Sequence, residues 1–149
     1  MILRGYPSIL FDGCCEAALE AYCDIFRGKV SNMLRMGDLR FPMPDEEKKR
    51  IFQAVFQARG LYFLACDTFP GHQPSVGANI YLSVDFSNVP QAKACYEALH
   101  EKGKVIMPFS DTEYSLGYGK VCDRFGIYWE LNVPKGPQRI LMTVGAWRS

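Results

Sequence analysis

Glu130, near the end of the chain, is the side chain of this sequence best suited to acid-base chemistry. It lies in the segment Ile127 to Val133, where polar and apolar residues alternate. Because the side chains of a strand point alternately to its two faces, Tyr128, Glu130 and Asn132 share one face if the apolar residues between them pack on a helix. A carboxylate buried beside aromatic rings has a raised pKa and can act as a general acid or base. The alternative is a structural role, in which Glu130 accepts hydrogen bonds from neighbouring tyrosines or amides, since the sequence indicates no second titratable partner.

Two other alternating segments place polar side chains on the same kind of surface. Asn79 to Asp85 has a polar set on one face, and Ile51 to Ala58 has two glutamines around Val55. Two tyrosines between residues 110 and 120 lie on the stretch expected to overhang this surface. One carboxylate with several amides and phenols suits a small polar or aromatic organic ligand. The candidate ligand-binding residues are therefore Gln53, Gln57, Asn79, Tyr81, Tyr114, Tyr118, Tyr128 and Asn132, with Glu130 as the candidate catalytic residue.

The thiol and imidazole side chains form no common metal-binding or redox motif. The six cysteines, at positions 14, 15, 23, 66, 95 and 122, include no CxxC pair. The two histidines, His72 and His100, fall in a linker and near the end of a helix. This excludes a zinc knuckle and a thioredoxin-type motif, and it predicts reduced, mostly buried thiols. We expect no metal and no other cofactor.

Ten elements would position these residues. Hydrophobic spacing predicts helices over Cys14–Phe26 and Pro90–Lys102, each ended by a glycine, with Gly28 as a C′ residue. A two-residue turn at Arg59-Gly60 predicts a hairpin. Strands are predicted for Tyr6–Phe11, Lys29–Met36, Ile51–Ala58, Leu61–Cys66, Asn79–Asp85, Lys104–Phe109, Gly117–Cys122 and Ile127–Val133.

The order of these elements repeats once along the chain. Phe11 and Val84 near the ends of the first strands, Tyr22 and Tyr96 in the helices, and the Gly-Lys-Val exits at Gly28 and Gly103 are 73, 74 and 75 positions apart. A near-constant offset with the same element order indicates a duplication. The sequence therefore predicts an α+β fold of two β-α-β-β-β units, whose mixed sheets each carry one helix and pair to enclose a concave cavity. We assign residues 1–149 to one domain, with repeats at about 5–67 and 78–134, a linker at 68–77 and a tail at 135–149.

Composition limits the partners. The chain has 149 residues, 17 Lys and Arg against 16 Asp and Glu, and no basic stripe with interleaved aromatics, so we expect no nucleic-acid binding. No apolar run approaches the length of a membrane span, and Arg4, Pro7 and Asp12 interrupt any signal-peptide core. We expect a cytoplasmic protein with no membrane partner.

The segment Gly119 to Val133 carries a family resemblance. Its residues Gly-Lys-Val-Cys-Asp-Arg-Phe-Gly-Ile-Tyr-Trp-Glu-Leu-Asn-Val are similar to the closing pattern G-x-V-x-D-[RK]-F-G-x-x-W-x-x-N of PhnB-like proteins. These are a branch of the glyoxalase/bleomycin-resistance/dihydroxybiphenyl dioxygenase (vicinal oxygen chelate) superfamily. Pro7 and the pattern Phe11 to Tyr22 resemble the first strand and helix of the family, and Met107-Pro108 with Thr112 and Tyr114 match the segment between. The resemblance covers residues 5 to 134 and implies the paired β-α-β-β-β fold and a homodimer.

Members of this branch often carry the label 3-demethylubiquinone-9 3-methyltransferase. A methyltransferase normally binds S-adenosylmethionine at a glycine-rich strand-to-helix turn followed by an acidic residue. The only GxG of the chain, Gly117-Tyr118-Gly119, lies inside a strand-like segment. We therefore expect no methyl transfer.

The resemblance also bears on metal binding. In the wider superfamily four strands each supply one ligand to a divalent ion, and the corresponding positions here are Pro7, Leu64 or its neighbour, Asn79 and Glu130. Proline and leucine cannot coordinate and asparagine is a weak donor, so only Glu130 remains. Gln53 stands where many relatives carry a histidine. The resemblance therefore implies binding without a metal, with a divalent metal as the alternative.

We expect a PhnB-like protein that binds a small organic ligand in the cavity between its sheets; whether it transforms that ligand is open. One alternative is a metal-dependent lyase, isomerase or dioxygenase in which Glu130 is an acid-base group or a metal ligand. The other is a dimer that sequesters a toxic compound, of the bleomycin-resistance kind.

Overall fold

A computed structural model describes residues 1–136, which form eight strands, two α-helices and two short 3₁₀ turns. In chain order the elements are β1 (Ser8–Phe11), α1 (Cys15–Phe26), β2 (Lys29–Arg35), 3₁₀ turns at Met36–Asp38 and Asp45–Glu47, β3 (Ile51–Ala58), β4 (Leu61–Asp67), β5 (Leu82–Asp85), α2 (Val89–His100), β6 (Lys104–Ser110), β7 (Ser115–Cys122) and β8 (Tyr128–Pro134). Most of the predicted tail, residues 137–149, lies outside the described residues. Neither α1 nor α2, with 12 residues each, is long enough to cross a bilayer.

The strands form two four-stranded mixed sheets with the same order. The first sheet runs β1-β4-β3-β2 and the second β5-β8-β7-β6. In each, the first strand pairs in parallel with the fourth, and the other pairs are antiparallel. The chain divides into two compact units, Met1–Val76 and a second beginning at Gly77. The prediction of an α+β fold from two β-α-β-β-β units is confirmed.

Aromatic rings fill the space between α1 and the first sheet. Phe56 and Phe63 stack with centroids 4.7 Å apart, and the Tyr22 ring meets them edge-on at 6.3 and 6.1 Å. All three side chains are fully buried, which stabilises this packing through a large apolar area. Because Phe56 faces α1, Gln57 and Gln53, which lie an odd number of positions from it along β3, project from the opposite face and are exposed.

The second sheet packs on α2 through its last two strands. Trp129 and Leu131 of β8 are fully buried, as is Val121 of β7. Gly119 allows the Tyr96 ring to lie directly on the sheet, since a Cβ there would stand 2.7 Å from Tyr96 Cε2. The helix-facing side of β8 is therefore the one predicted, and its residues Tyr128, Glu130 and Asn132 project from the other face.

Each helix is followed by a residue in the left-handed conformation and then by a glycine. Arg27 and Lys102 hold the left-handed conformation, with φ of 53° and 60°. The following glycines lie against a neighbouring strand: a Cβ on Gly28 would stand 2.9 Å from the Gln57 carbonyl oxygen, and one on Gly103 would overlap the Cys122 carbonyl. Gly28 directly follows the C-cap residue Arg27, as predicted for a C′ glycine, but Arg27 and not the glycine holds the left-handed conformation, and Gly28 is needed for close packing. The same arrangement in both units is what a duplication produces.

The motif Asp123-Arg-Phe-Gly forms a buried turn before β8. One carboxylate oxygen of Asp123 accepts from the backbone N–H groups of Phe125 and Ile127 at 2.9 and 3.0 Å, and the other accepts from Trp129 Nε1 at 2.9 Å. Gly126 completes the turn with φ of +88°. The residues that carry the family resemblance therefore shape the chain into β8, which bears Glu130.

The prediction that the fifth strand begins at Asn79 is wrong by three residues. Strand β5 begins at Leu82, paired with Trp129, because its partner β8 begins only at Tyr128. Residues before Tyr81 thus have no strand to pair with. Ile80, inside the predicted strand, is 73% exposed.

Candidate ligand-binding site

Strand register brings polar side chains together on the face of the second sheet that is turned away from α2. Ser83, Glu130 and Lys120 form one row across β5, β8 and β7, because Glu130 pairs with both neighbours. The next row is formed in the same way around Asn132. We call this surface the polar face; it consists of Ser83, Asp85, Tyr118, Lys120, Tyr128, Glu130 and Asn132.

Glu130 is held by two hydroxyl groups. Its Oε1 accepts a hydrogen bond from Ser83 Oγ at 2.7 Å, and its Oε2 accepts one from the Tyr118 hydroxyl at 2.6 Å. The side chain is half-buried. These contacts fit the structural role considered for Glu130. They also supply the second titratable group that the sequence did not indicate, so the acid-base alternative keeps a geometric basis.

Tyr118 is the donor of this pair at neutral pH. Burial raises the pKa of its hydroxyl, and the hydrogen bond to the negative Glu130 carboxylate raises it further. A phenol with a raised pKa keeps its proton at neutral pH. The Glu130–Tyr118 pair therefore holds one proton, which a ligand oxygen or nitrogen could share.

Asn132 is fixed in orientation by partners at both ends of its amide. Its Nδ2 donates to Asp85 Oδ1 at 3.0 Å, and its Oδ1 accepts from the Ser115 hydroxyl. Asp85 and Asn132 are thus linked by charge-assisted hydrogen bonding in the second row. These two bonds fix which end of the Asn132 amide points to Asp85.

An aromatic pair borders the polar face. The rings of Tyr81 and Tyr128 meet edge-on with centroids 5.4 Å apart, and Lys120 Nζ lies 4.9 Å from the centre of the Tyr81 ring. The nearby Cys122 raises the pKa of the Tyr128 hydroxyl. This border combines apolar area with a positive charge, an arrangement suited to a flat organic molecule.

Five of the predicted site residues lie together in the second unit. Glu130, Tyr118, Tyr128 and Asn132 belong to the polar face, and Tyr81 borders it. Asn79 is exposed outside the strand, and Tyr114, in the turn before β7, is 71% exposed. Gln53 and Gln57 are exposed on β3 in the first unit.

Three residues of the polar face were not among the candidate ligand-binding residues: Ser83, which the alternation in Asn79 to Asp85 had placed on this face, and Asp85 and Lys120. The alternation of side chains between the two faces of a strand identifies all three. Counting two positions on from Tyr118 in β7 gives Lys120, and counting on in twos from Tyr81 gives Ser83 and Asp85.

A groove of about 460 Å³ also lies between α1 and β2 in the first unit. Leu19, Val30 and Met33 contribute apolar surface, and Glu16, Glu20 and Asp24 line it from the helix. Glu16 pairs with Arg35, which joins the helix to β2.

Two of the four positions to which the family resemblance assigns metal ligands carry side chains that cannot coordinate an ion. Pro7 and Leu64 have no side-chain donor, Asn79 lies outside the strand, and both Glu130 oxygens accept hydrogen bonds from Ser83 and Tyr118. Within residues 1–136 there is no group of three or more His, Cys, Asp or Glu side chains placed to hold a metal.

Comparison with known proteins identifies one family over most of the chain. The model of the family described as 3-demethylubiquinone-9 3-methyltransferase matches residues 4–132. The protein PA1353 of Pseudomonas aeruginosa is 28% identical, with a TM-score of 0.80 over 89% of this chain and 98% of that one. The PhnB protein of Bacillus cereus, a putative 3-demethylubiquinone-9 3-methyltransferase, is 21% identical, with a TM-score of 0.76 over 87% and 98%.

A more distant structure shares the fold. The fosfomycin resistance protein FosX of Listeria monocytogenes is 10% identical, with a TM-score of 0.64 over 94% of this chain and 99% of that one. A mutant form of that protein was crystallised with Mn(II) and 1S,2S-dihydroxypropylphosphonic acid. The likeness extends to the arrangement of strands and helices.

Proposed function

The chain belongs to the family described as 3-demethylubiquinone-9 3-methyltransferase, and from this premise we propose that it binds a small organic molecule on its polar face without a metal ion. One observation carries the proposal. A carboxylate, Glu130, is held in place by Ser83 and Tyr118 beside the Tyr81–Tyr128 ring pair. An oriented polar group next to aromatic surface is the usual composition of a small-molecule site.

The polar face can bind a ligand without losing its own hydrogen bonds. A carboxylate accepts up to about four hydrogen bonds, and Glu130 accepts two from the protein. A hydroxyl or amino group of the ligand can therefore donate to Glu130 while its ring packs against Tyr81 or Tyr128. The absence of side-chain donors at Pro7 and Leu64 supports direct contact over coordination through an ion.

Methyl transfer, the activity in the family description, has little support from the two strand-to-helix turns. At the start of α1, the Cys15 N–H donates to buried Asp67 at 3.0 Å, and at the start of α2, the Gln91 N–H donates to Asn88 at 2.9 Å. These turns contain one glycine, Gly13, between them, and the Gly117–Gly119 pair lies inside β7. A cofactor bound at either turn would compete with the protein's own caps.

The Glu130–Tyr118 pair favours a second candidate function, acid-base catalysis on the bound molecule. Two titratable groups joined at 2.6 Å can pass a proton to and from a ligand atom. Incubation of the protein with a bound compound distinguishes the candidates: unaltered recovery supports binding or sequestration, and a new product supports catalysis.

A screen of small aromatic and polar compounds by thermal denaturation tests the proposal. A compound present at 100 times its dissociation constant stabilises a protein by about 2.7 kcal/mol. We expect Glu130→Gln to reduce that stabilisation and Glu97→Gln, an exposed glutamate of α2, to leave it unchanged. Equal stabilisation of both variants would contradict the proposed site. One stoichiometric divalent ion per purified chain would contradict binding without a metal.

We also propose a homodimer in the cytoplasm. The edge strand β6 exposes Val105, Ile106 and Met107 by 48, 44 and 42%, an apolar edge that a partner would cover. Cys15, Cys23, Cys66 and Cys122 are free thiols, which suits a reducing compartment. Sedimentation at micromolar concentration tests the dimer, and a monomer throughout would contradict it.

A further inference from the structure

We infer that Lys120 makes the polar face selective for a small aromatic carboxylate that also carries a hydroxyl group. The inference rests on the proposed function and names the class of ligand. Its basis is the position of the Lys120 ammonium group beside Glu130 and Asn132, whose side chains are hydrogen-bonded to other residues.

Lys120 lies directly opposite Glu130 across β7 and β8, on the same face, yet the two do not form an ion pair. Both Glu130 oxygens accept from hydroxyl groups instead. Within residues 1–136, the ammonium group has no carboxylate within ion-pairing distance, and it lies 4.9 Å from the centre of the Tyr81 ring. Lys120 is half-buried. A partly desolvated charge beside an aromatic ring is well placed to bind an anionic oxygen.

The other charges of the polar face restrict which anion can bind. Glu130 lies in the same row as Lys120, and Asp85 lies in the next row. Both carboxylates are negative, so they repel an anion that brings no hydrogen-bond donor. Asp85 is turned to Asn132, with 3.0 Å between Oδ1 and Nδ2. Glu130 has acceptor capacity left. A ligand hydroxyl that donates to Glu130 converts this repulsion into a hydrogen bond, while the ligand carboxylate meets Lys120.

The aromatic part of the ligand follows from the Tyr81–Tyr128 pair. The two rings meet edge-on at 5.4 Å next to the Lys120 ammonium. A flat ring that carries the carboxylate can pack against this pair, which adds apolar contact to the ionic one. The carboxylate and the hydroxyl then reach Lys120 and Glu130, which are neighbours across the strand pair.

Isothermal titration with 3-hydroxybenzoate and its neutral counterpart 3-hydroxybenzamide tests the charge preference. A hydrogen bond to a charged group contributes enough to affinity for the acid to bind about tenfold more tightly than the amide. Lys120→Met should abolish that ratio and keep the affinity for the amide, which also reports that the variant is folded. Lys93→Met, at an exposed lysine of α2, should keep the ratio.

Benzoate tests the hydroxyl group, and it should bind more weakly than 3-hydroxybenzoate. Equal affinities for acid and amide in the wild type, or a ratio that survives Lys120→Met, would overturn the inference and leave the proposed function standing. If neither hydroxybenzoate nor hydroxybenzamide binds, the inference is overturned. If the wider compound screen is also empty, the proposed function falls with it.

Discussion

Replacing Asp123 with asparagine is expected to destabilise the protein without touching the polar face. Asp123 is 5% exposed and accepts three hydrogen bonds, two from backbone N–H groups and one from the indole of Trp129. Asparagine has nearly the same shape, but one end of its amide is a donor. That end must face either the indole N–H or the two backbone N–H groups, and in both cases the amide NH₂ group meets N–H donors instead of an acceptor.

The magnitude follows from the cheaper of these orientations. If the new NH₂ group faces Trp129, one hydrogen bond to a charged group is lost, worth about 1.5–3 kcal/mol, and a buried indole N–H is left unpaired at about 1–3 kcal/mol. The two effects overlap, so we expect Asp123→Asn to lower the free energy of unfolding by about 2–4 kcal/mol. In a Trp129→Phe background the indole N–H is absent. The same substitution should then cost about 1 kcal/mol or less.

Urea unfolding followed by far-ultraviolet circular dichroism measures both costs in a double-mutant cycle. The cavity that Trp129→Phe leaves is present on both sides of the cycle and cancels. Asp111→Asn, at an exposed aspartate after β6, is the matched control and should change stability by less than about 0.5 kcal/mol. A similar small effect for Asp123→Asn, or an equal cost with and without the indole, would refute the assigned role of the turn.

Three further predictions concern a glycine, the proton shared with Glu130, and a buried thiol. Gly103→Ala should lower the free energy of unfolding by about 1–3 kcal/mol because the new Cβ overlaps the Cys122 carbonyl. Gly5→Ala, with open space around the new Cβ, should leave the free energy of unfolding nearly unchanged in the same urea titration. Glu130→Gln should lower the pKa of Tyr118 but leave it above the ordinary value, since the charge is removed and the burial remains. An absorbance titration of the phenolate, with Tyr118→Phe as the reference, measures this pKa. A curve that Glu130→Gln leaves unchanged would contradict the hydrogen bond between Tyr118 and Glu130. The Cys15 thiol, fully buried with its pKa raised by burial and then by Asp67, should resist alkylation in the folded protein. Because its pKa is raised on folding, its contribution to stability is complete below the unfolded pKa of about 8.5. That contribution declines at higher pH, and Cys15→Ala should make the alkaline loss of stability shallower.

Alternation within strands made half of the candidate site predictable from sequence. The buried positions of Trp129 and Leu131 fix the direction of Glu130, and the period of two residues then assigns Tyr128 and Asn132. Lys120 follows from the same rule applied to β7. These positions depend only on local pattern and on which face packs against a helix.

Features that depend on pairing between distant segments were not predictable in this way. The start of β5 is set by where β8 begins, so Asn79 and Ile80 lie outside the strand although their alternation continues. The partners of Glu130 come from β5 and β7, which are 47 and 12 positions away, and only the register brings them to it. The close approach at Gly28 and Gly103 likewise depends on a strand that follows much later in the chain.

Nuclear magnetic resonance mapping of a bound aromatic compound tests the central claim most directly. The account predicts that the largest shifts, after assignment, fall on Ser83, Tyr118, Lys120, Tyr128 and Glu130, and that they saturate together. Shifts confined to the groove between α1 and β2, around Leu19 and Met33, with the polar face unaffected, would contradict it.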